Sequence, residues 1–122
     1  MPDDAQSLRF AVLHHTGVAE AHYDLLIETA PDALLRAWRC DAWPVTAESI
    51  VMALPDHRRA YLQYEGVISG GRGEVVRVDE GSCSIELDAA DELRARLTGR
   101  FGGFLLHLKR RPHDRWIALV GA

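Results

Sequence analysis

Cysteine is scarce in this sequence: Cys40 and Cys83 are the only two in 122 residues, and they form no CxxC or CxxH motif. That excludes a disulfide-stapled scaffold and a zinc ribbon, and two thiols in a cytoplasmic chain are expected to stay free. Long hydrophobic runs are also missing. Stretches such as Phe104 to Leu108 and Ile117 to Val120 fall far short of the roughly 20 residues that cross a bilayer, so no membrane span is expected. There is no excess of basic charge either. A formal net charge of -4 excludes coating of nucleic acid through a broad basic surface, and a nucleic-acid ligand would be met locally, at an end or a single phosphate. Internal repeats and low-complexity tracts are absent. The opening MPDDAQS lacks the basic-then-apolar layout of a secretory signal, which predicts a flexible tail over residues 1–7 and a cytoplasmic address.

What is present is the balance of a globular domain, with 48% hydrophobic and 26% charged residues. One domain over residues 8–122 is long enough to bury its own core. Residues 8–15, LRFAVLHH, suit a strand, with Phe10, Val12 and His14 on one face and Leu13 and His15 on the other. Residues 22–28, HYDLLIE, form a second strand-like run that places His22, Asp24 and Leu26 together. Leu34 to Cys40 reads as a third. Thr46 to Leu54 has Thr46 as an N-cap and Ala47, Ile50, Val51 and Leu54 at helical spacing, which predicts a short helix. Ala60 to Ile68, Glu74 to Val78 and Ser82 to Leu87 read as strands, with turns at SGGRG and at Asp79 to Gly81. Asp88 to Leu97 fits either a capped helix or a strand. Phe101 to Lys109 and Trp116 to Val120 close the chain. About eight short strands with one or two short helices predict a mainly β domain, an antiparallel sheet curled into a closed or crescent barrel.

Two constellations carry chemistry. His22 and Asp24, at i and i+2 on one strand, project from the same face and can reach one cation, with His15 or His14 of the neighbouring strand as a second imidazole. Two imidazoles and a carboxylate suit manganese, iron, cobalt or zinc better than calcium. An HxD pair alone also describes a hydrogen-bonded polar pair. The second constellation is DHRRAYLQYEG, residues 56–66, in which His57 is followed four residues later by Tyr61. A His beside a metal can contact phosphate or protonate a departing oxygen, and a Tyr hydroxyl can orient the same phosphate. A surface His and a half-buried Tyr would read the same way.

Together, AVLHHTGVAEAHYDLLIE, DHRRAYLQYEGVISGGRGEVVRV and LTGRFGGFLLHLKRR followed by WIALV resemble the 3′-phosphoesterase domain of bacterial DNA ligase D and its free-standing relatives, over about residues 8–120. The resemblance implies a compact β-barrel and a stand-alone DNA-repair enzyme. Its activity would depend on a divalent metal, most simply manganese, with zinc or cobalt as alternatives. Such an enzyme removes a 3′-terminal ribonucleoside and then the 3′-phosphate, leaving a 3′-hydroxyl for a separate polymerase or ligase. By position, the resemblance makes His15, His22 and Asp24 the metal ligands and sets His57 and Tyr61 against the reacting phosphate. Two departures stand out. The loop before HYD is one residue longer if His15 is the ligand, and a gapless alignment puts Thr16 there. Leu26 stands where the family carries an Arg, so Arg58, Arg59, Arg36 or Arg39 would have to supply that charge, and Leu26→Arg would test the loss. The alternative is a catalytically weak module that keeps the metal or phosphate pocket and recognises DNA ends or repair partners.

Overall fold

The structure, a computed structural model, describes residues 7–45 and 48–121. The tail expected over 1–7 therefore lies, apart from Ser7, outside the described residues, as do Thr46 and Ala47. The described residues form nine strands: β1 (Leu8–Thr16), β2 (His22–Ile27), β3 (Leu35–Cys40), β4 (Ser49–His57), β5 (Gly66–Val67), β6 (Glu74–Ala89), β7 (Glu92–Gly99), β8 (Gly102–Arg111) and β9 (Arg115–Gly121). All pair antiparallel in the order β1-β2-β3-β4-β9-β8-β7-β6-β5. A further pairing of β1 with β6, from Leu8↔Cys83 to Thr16↔Glu74, closes eight of them into a barrel-like ring and leaves β5 outside it. The mainly β, antiparallel architecture matches the expectation from the sequence. Among the described residues, helical structure is confined to single 3₁₀ turns at Arg59–Leu62 and Pro112–Asp114. Among the described residues no helix is long and apolar enough to cross a membrane.

The larger core cluster draws side chains from every strand of the ring, among them Phe10, Leu25, Trp38, Val51, Cys83, Leu97, Leu106 and Trp116, so it fills the interior. A second cluster uses only β1, β2, β3 and β6. It joins Leu13, Leu26, Leu35, Ala37 and Val75, and it is covered by Leu54, Tyr61, Leu62 and Ile68. Neighbours such as Val12 and Leu13, or Leu25 and Leu26, belong to opposite clusters, as the two-residue period of a strand requires. Strands covered on both faces read as continuous apolar runs, which is why FAVL and LLI break the usual alternation. Each fully buried Leu or Ile contributes about 1.5–3 kcal/mol relative to exposure. The covering segment, residues 58–73, thus turns the outer face of β1 to β3 into a second buried layer.

Four readings change. The helix expected over 46–54 is instead β4 from Ser49 onward, pairing with β3 and, at Val51↔Trp116, with β9. Val51 is buried while Ile50 and Met52 are exposed, a strand alternation that the apolar content alone did not distinguish from helical spacing. The strand expected over Ala60 to Ile68 is a 3₁₀ turn followed by the two-residue β5. Asp79 to Gly81 is no turn but the middle of β6, where the strand leaves β1 and takes up β7. Gly81 lets β6 pass close to β7, because a Cβ there would collide with the Thr98 carbonyl oxygen. The ambiguous Asp88 to Leu97 resolves as a hairpin, with Ala89 paired to Glu92 and β7 beyond.

Candidate metal centre

β1 and β2 pair with His15 opposite His22 and Leu13 opposite Asp24. Facing residues share a side of the sheet, so the two imidazoles meet across the strands and the carboxylate lies one pleat further along. The ring centroids of His15 and His22 are 4.9 Å apart. One nitrogen from each ring and one oxygen of Asp24 lie within 4.8 Å of one another, so this cluster could hold a metal ion. His14 points to the other face and stacks on Tyr23, with centroids 4.6 Å apart. The structure therefore settles which of the two adjacent histidines joins the cluster: it is His15.

The hydrogen bonds around the cluster fix how each ring is oriented. His15 Nε2 lies 2.7 Å from the carbonyl oxygen of Arg72, and His22 Nδ1 lies 2.9 Å from that of Glu20. A carbonyl only accepts, so each ring gives its N–H there. The opposite nitrogens then face Asp24: His15 Nδ1 is 3.2 Å from Oδ2, and His22 Nε2 is 3.1 Å from Oδ1. In the neutral rings these nitrogens carry lone pairs, and two lone pairs aimed at a carboxylate repel it unless a second ring proton or a cation lies between them. Outer-shell carbonyls that set the tautomer in this way are the usual support of metal-bound histidine. Asp24 is 5% exposed, and its Oδ1 is buried without a hydrogen bond despite the nearby ring. A divalent cation fits this donor set and would satisfy that oxygen.

The second constellation lies on the same cleft. His57 ends β4, Tyr61 sits in the 3₁₀ turn that follows, and both line a cleft of about 460 Å³ together with His15, Asp24, Arg58 and Arg72. His22 does not line it and joins the others through Asp24. His57 Nδ1 donates to the Pro55 carbonyl at 2.9 Å, which leaves Nε2 as the second ring nitrogen. The His57 and Tyr61 rings meet edge to face at 5.7 Å. All five residues singled out from the sequence thus gather in one region. Neither a protein-family model nor a curated protein matches this chain.

Leu26 is fully buried in the outer cluster with Leu13, Leu35, Ala37 and Val75, below the cleft and not on its wall. Of the four arginines considered as substitutes, Arg36 pairs with Asp88, Arg39 with Glu20 and Arg59 with Glu28, and Arg58 alone reaches the cleft. Arg72 also lines it and was not anticipated. Its signal was the SGGRG turn, where Gly70, Gly71 and Gly73 all adopt positive φ and bend the chain back over β1. At Gly73 a Cβ would collide with the Thr16 carbonyl oxygen, so only glycine lets the turn come close enough for the Arg72 carbonyl to hold His15. Neither cysteine is a candidate nucleophile. Both are free and buried, and burial above all pushes each thiol up to about 12, with Asp24 and Asp41 adding to the effect at Cys40 and Glu28 at Cys83.

Proposed function

We propose that this chain is a divalent-metal-dependent phosphoesterase of DNA repair, removing a 3′-terminal ribonucleoside and the 3′-phosphate to leave a 3′-hydroxyl. The observation that carries the reading is a cluster of two oriented imidazoles and a buried carboxylate with one unpaired oxygen, of which His15 and Asp24 line the cleft that also holds His57, Tyr61, Arg58 and Arg72. The choice of a DNA end as substrate rests on the resemblance carried by HYD and by DHRRAYLQYEG.

His15, His22 and Asp24 would hold the cation, most simply manganese. When bound, it supplies Lewis-acid charge that makes phosphorus more electrophilic. The chain's own groups do the rest. Arg58 and Arg72, on the cleft wall, bring positive charge to the phosphate backbone beside the reacting group. The Tyr61 hydroxyl orients the phosphoryl group. A water molecule attacks phosphorus and gives its proton to solvent as the bond to the leaving oxygen breaks, and His57, anchored through Nδ1 by the Pro55 carbonyl, delivers a proton from Nε2 to that departing oxygen. The outer cluster of Leu13, Leu26 and Val75 forms an apolar floor that limits water beneath the reacting group.

The purified chain with manganese should shorten a primer ending in one ribonucleotide to a 3′-phosphate and then to a 3′-hydroxyl, both resolved by gel electrophoresis. Intact primer with manganese, cobalt and zinc alike would overturn the phosphoesterase reading in favour of a module that binds DNA ends.

A further inference from the structure

A second cleft, of about 220 Å³, opens beside the first and is walled by Arg58, Tyr61, Tyr64, Val67, Ile68 and Arg72, among others. Arg58, Tyr61, Ile68 and Arg72 line both clefts, so the two are adjacent and share these residues as a common wall. Their volumes differ in kind. The first is the size of a small-molecule site, whereas the second falls below the roughly 300 Å³ where complete ligand pockets begin and suits a fragment of a larger molecule.

Charge and aromatic geometry indicate which fragment. Arg36, Arg39, Arg59, Arg77, Arg94, Arg100 and Arg110 each pair with a carboxylate. Arg58 and Arg72 form no ion pair among the described residues: Arg58 lies over the Tyr61 ring and Arg72 bonds Ser69. A chain of net charge -4 thus keeps two uncompensated guanidiniums at one place. Asp24 and Asp56 line the first cleft, and no carboxylate lines the second. The rings of His57, Tyr61 and Tyr64 are linked in series, 5.7 Å between successive centroids, from the first cleft to the second. Tyr64 is 37% exposed at the end of that series, steadied by a hydrogen bond from its hydroxyl to the Val67 carbonyl. Cations that track a backbone beside aromatic rings that stack bases are the means by which proteins hold single strands without reading their sequence.

We propose that the second cleft is a nucleotide subsite, in which the base next to the reacting phosphate stacks on Tyr64 while Arg58 and Arg72 hold the adjoining phosphodiester. The inference rests on the phosphoesterase reading and narrows its substrate to single-stranded or frayed 3′ ends. A base paired in a duplex keeps its faces stacked on its neighbours and cannot enter the cleft.

The test measures binding of fluorescent 3′-phosphorylated oligodeoxynucleotides, one natural and one with an abasic terminal residue, to the full chain in chelator. The natural strand should bind about 5- to 150-fold more tightly, the range that stacking one base provides. Tyr64→Ala should bring the natural strand down to the abasic one, and Tyr64→Phe, which keeps a ring, should preserve the difference. Arg58→Gln should lower the salt dependence, reducing the slope of log affinity against log salt by about 0.7 for one lost phosphate contact on a single strand. Equal affinity for the two strands, or an equal loss on both in Tyr64→Ala, would overturn the subsite. The two proposals fail differently. Tight, base-dependent binding without hydrolysis under manganese, cobalt or zinc removes the phosphoesterase and keeps the subsite, while hydrolysis of both strands at equal efficiency and affinity does the reverse.

Discussion

Asp79 and Asp24 are both nearly sealed from water, at 1% and 5% exposure, yet the fold treats them in opposite ways. Asp79 is fully satisfied: its Oδ1 accepts the backbone N–H groups of Glu80 and Arg100 at 2.8 Å each, and its Oδ2 accepts the Trp43 indole N–H at 2.7 Å. Asp24 receives no backbone donor, and its Oδ1 is the one buried carboxylate oxygen without a hydrogen bond among the described residues. Its neighbours are two imidazoles whose N–H groups are committed to carbonyls elsewhere. A buried carboxylate costs several kcal/mol unless it is paired or hydrogen-bonded. Where the fold meets that cost internally, the residue ties strands together. Where it does not, the residue keeps an oxygen that a cation could satisfy.

That contrast can be broken by exchanging the two roles. The largest effect is expected from Asp24→Ala and His22→Ala. Each removes one of only three protein ligands, and manganese binding and turnover should both fall by at least about 1,000-fold, measured by calorimetric titration and primer cleavage. Without metal, Asp24→Ala should melt within about 1 kcal/mol of the parent, because an incompletely compensated buried charge has gone. Asp79→Ala should do the opposite. Three N–H donors lose their acceptor, stability falls by about 3 kcal/mol, and the melting midpoint drops by roughly 10 °C, while manganese affinity is retained. Equal destabilisation by the two substitutions in chelator would show that Asp24 is as well satisfied as Asp79 and would remove the argument for a cation.

Much of the Asp24 side of this contrast was legible in the sequence, and little of the support around it was. HYD with an upstream His places ligands by a rule that needs only local strand geometry, a period of two and antiparallel pairing. The same locality explains the failure at β4. SIVMAL fits both a helical and a strand template, and its strand state depends on β3 and β9, the latter more than 60 residues away. The Arg72 carbonyl was invisible for a related reason, since it meets His15 across 57 residues and a main-chain atom leaves no mark in residue identity. Leu26 illustrates the limit of reading a site by position. It occupies the place of an expected guanidinium, but a side chain there enters the apolar layer under the cleft. Leu26→Arg should therefore lower stability by about 2–5 kcal/mol, followed by thermal melting, in addition to whatever it does to the rate.

Two smaller perturbations sharpen the comparison at the level of orientation. Gly73→Ala places a Cβ against the Thr16 carbonyl at a backbone φ of +83, so the turn must retreat and carry the Arg72 carbonyl away from His15. Loss of such an outer-shell bond weakens metal binding by about 10- to 100-fold, and manganese titration should find a value in that range. An unchanged affinity in a destabilised protein would mean that His15 keeps its orientation without the carbonyl. The smallest effect is expected at His14, which has the same side chain one residue away. It stacks on Tyr23 at an interplanar angle of 15° on the opposite face of β1, so His14→Ala should remove about 1 kcal/mol of stability and change manganese affinity by no more than about 2-fold. His15→Ala should abolish binding. Because a slip of one residue in strand register exchanges the two faces, a large loss from His14→Ala with little change from His15→Ala would place β1 one residue out of register with β2, and the ligand set would move with it.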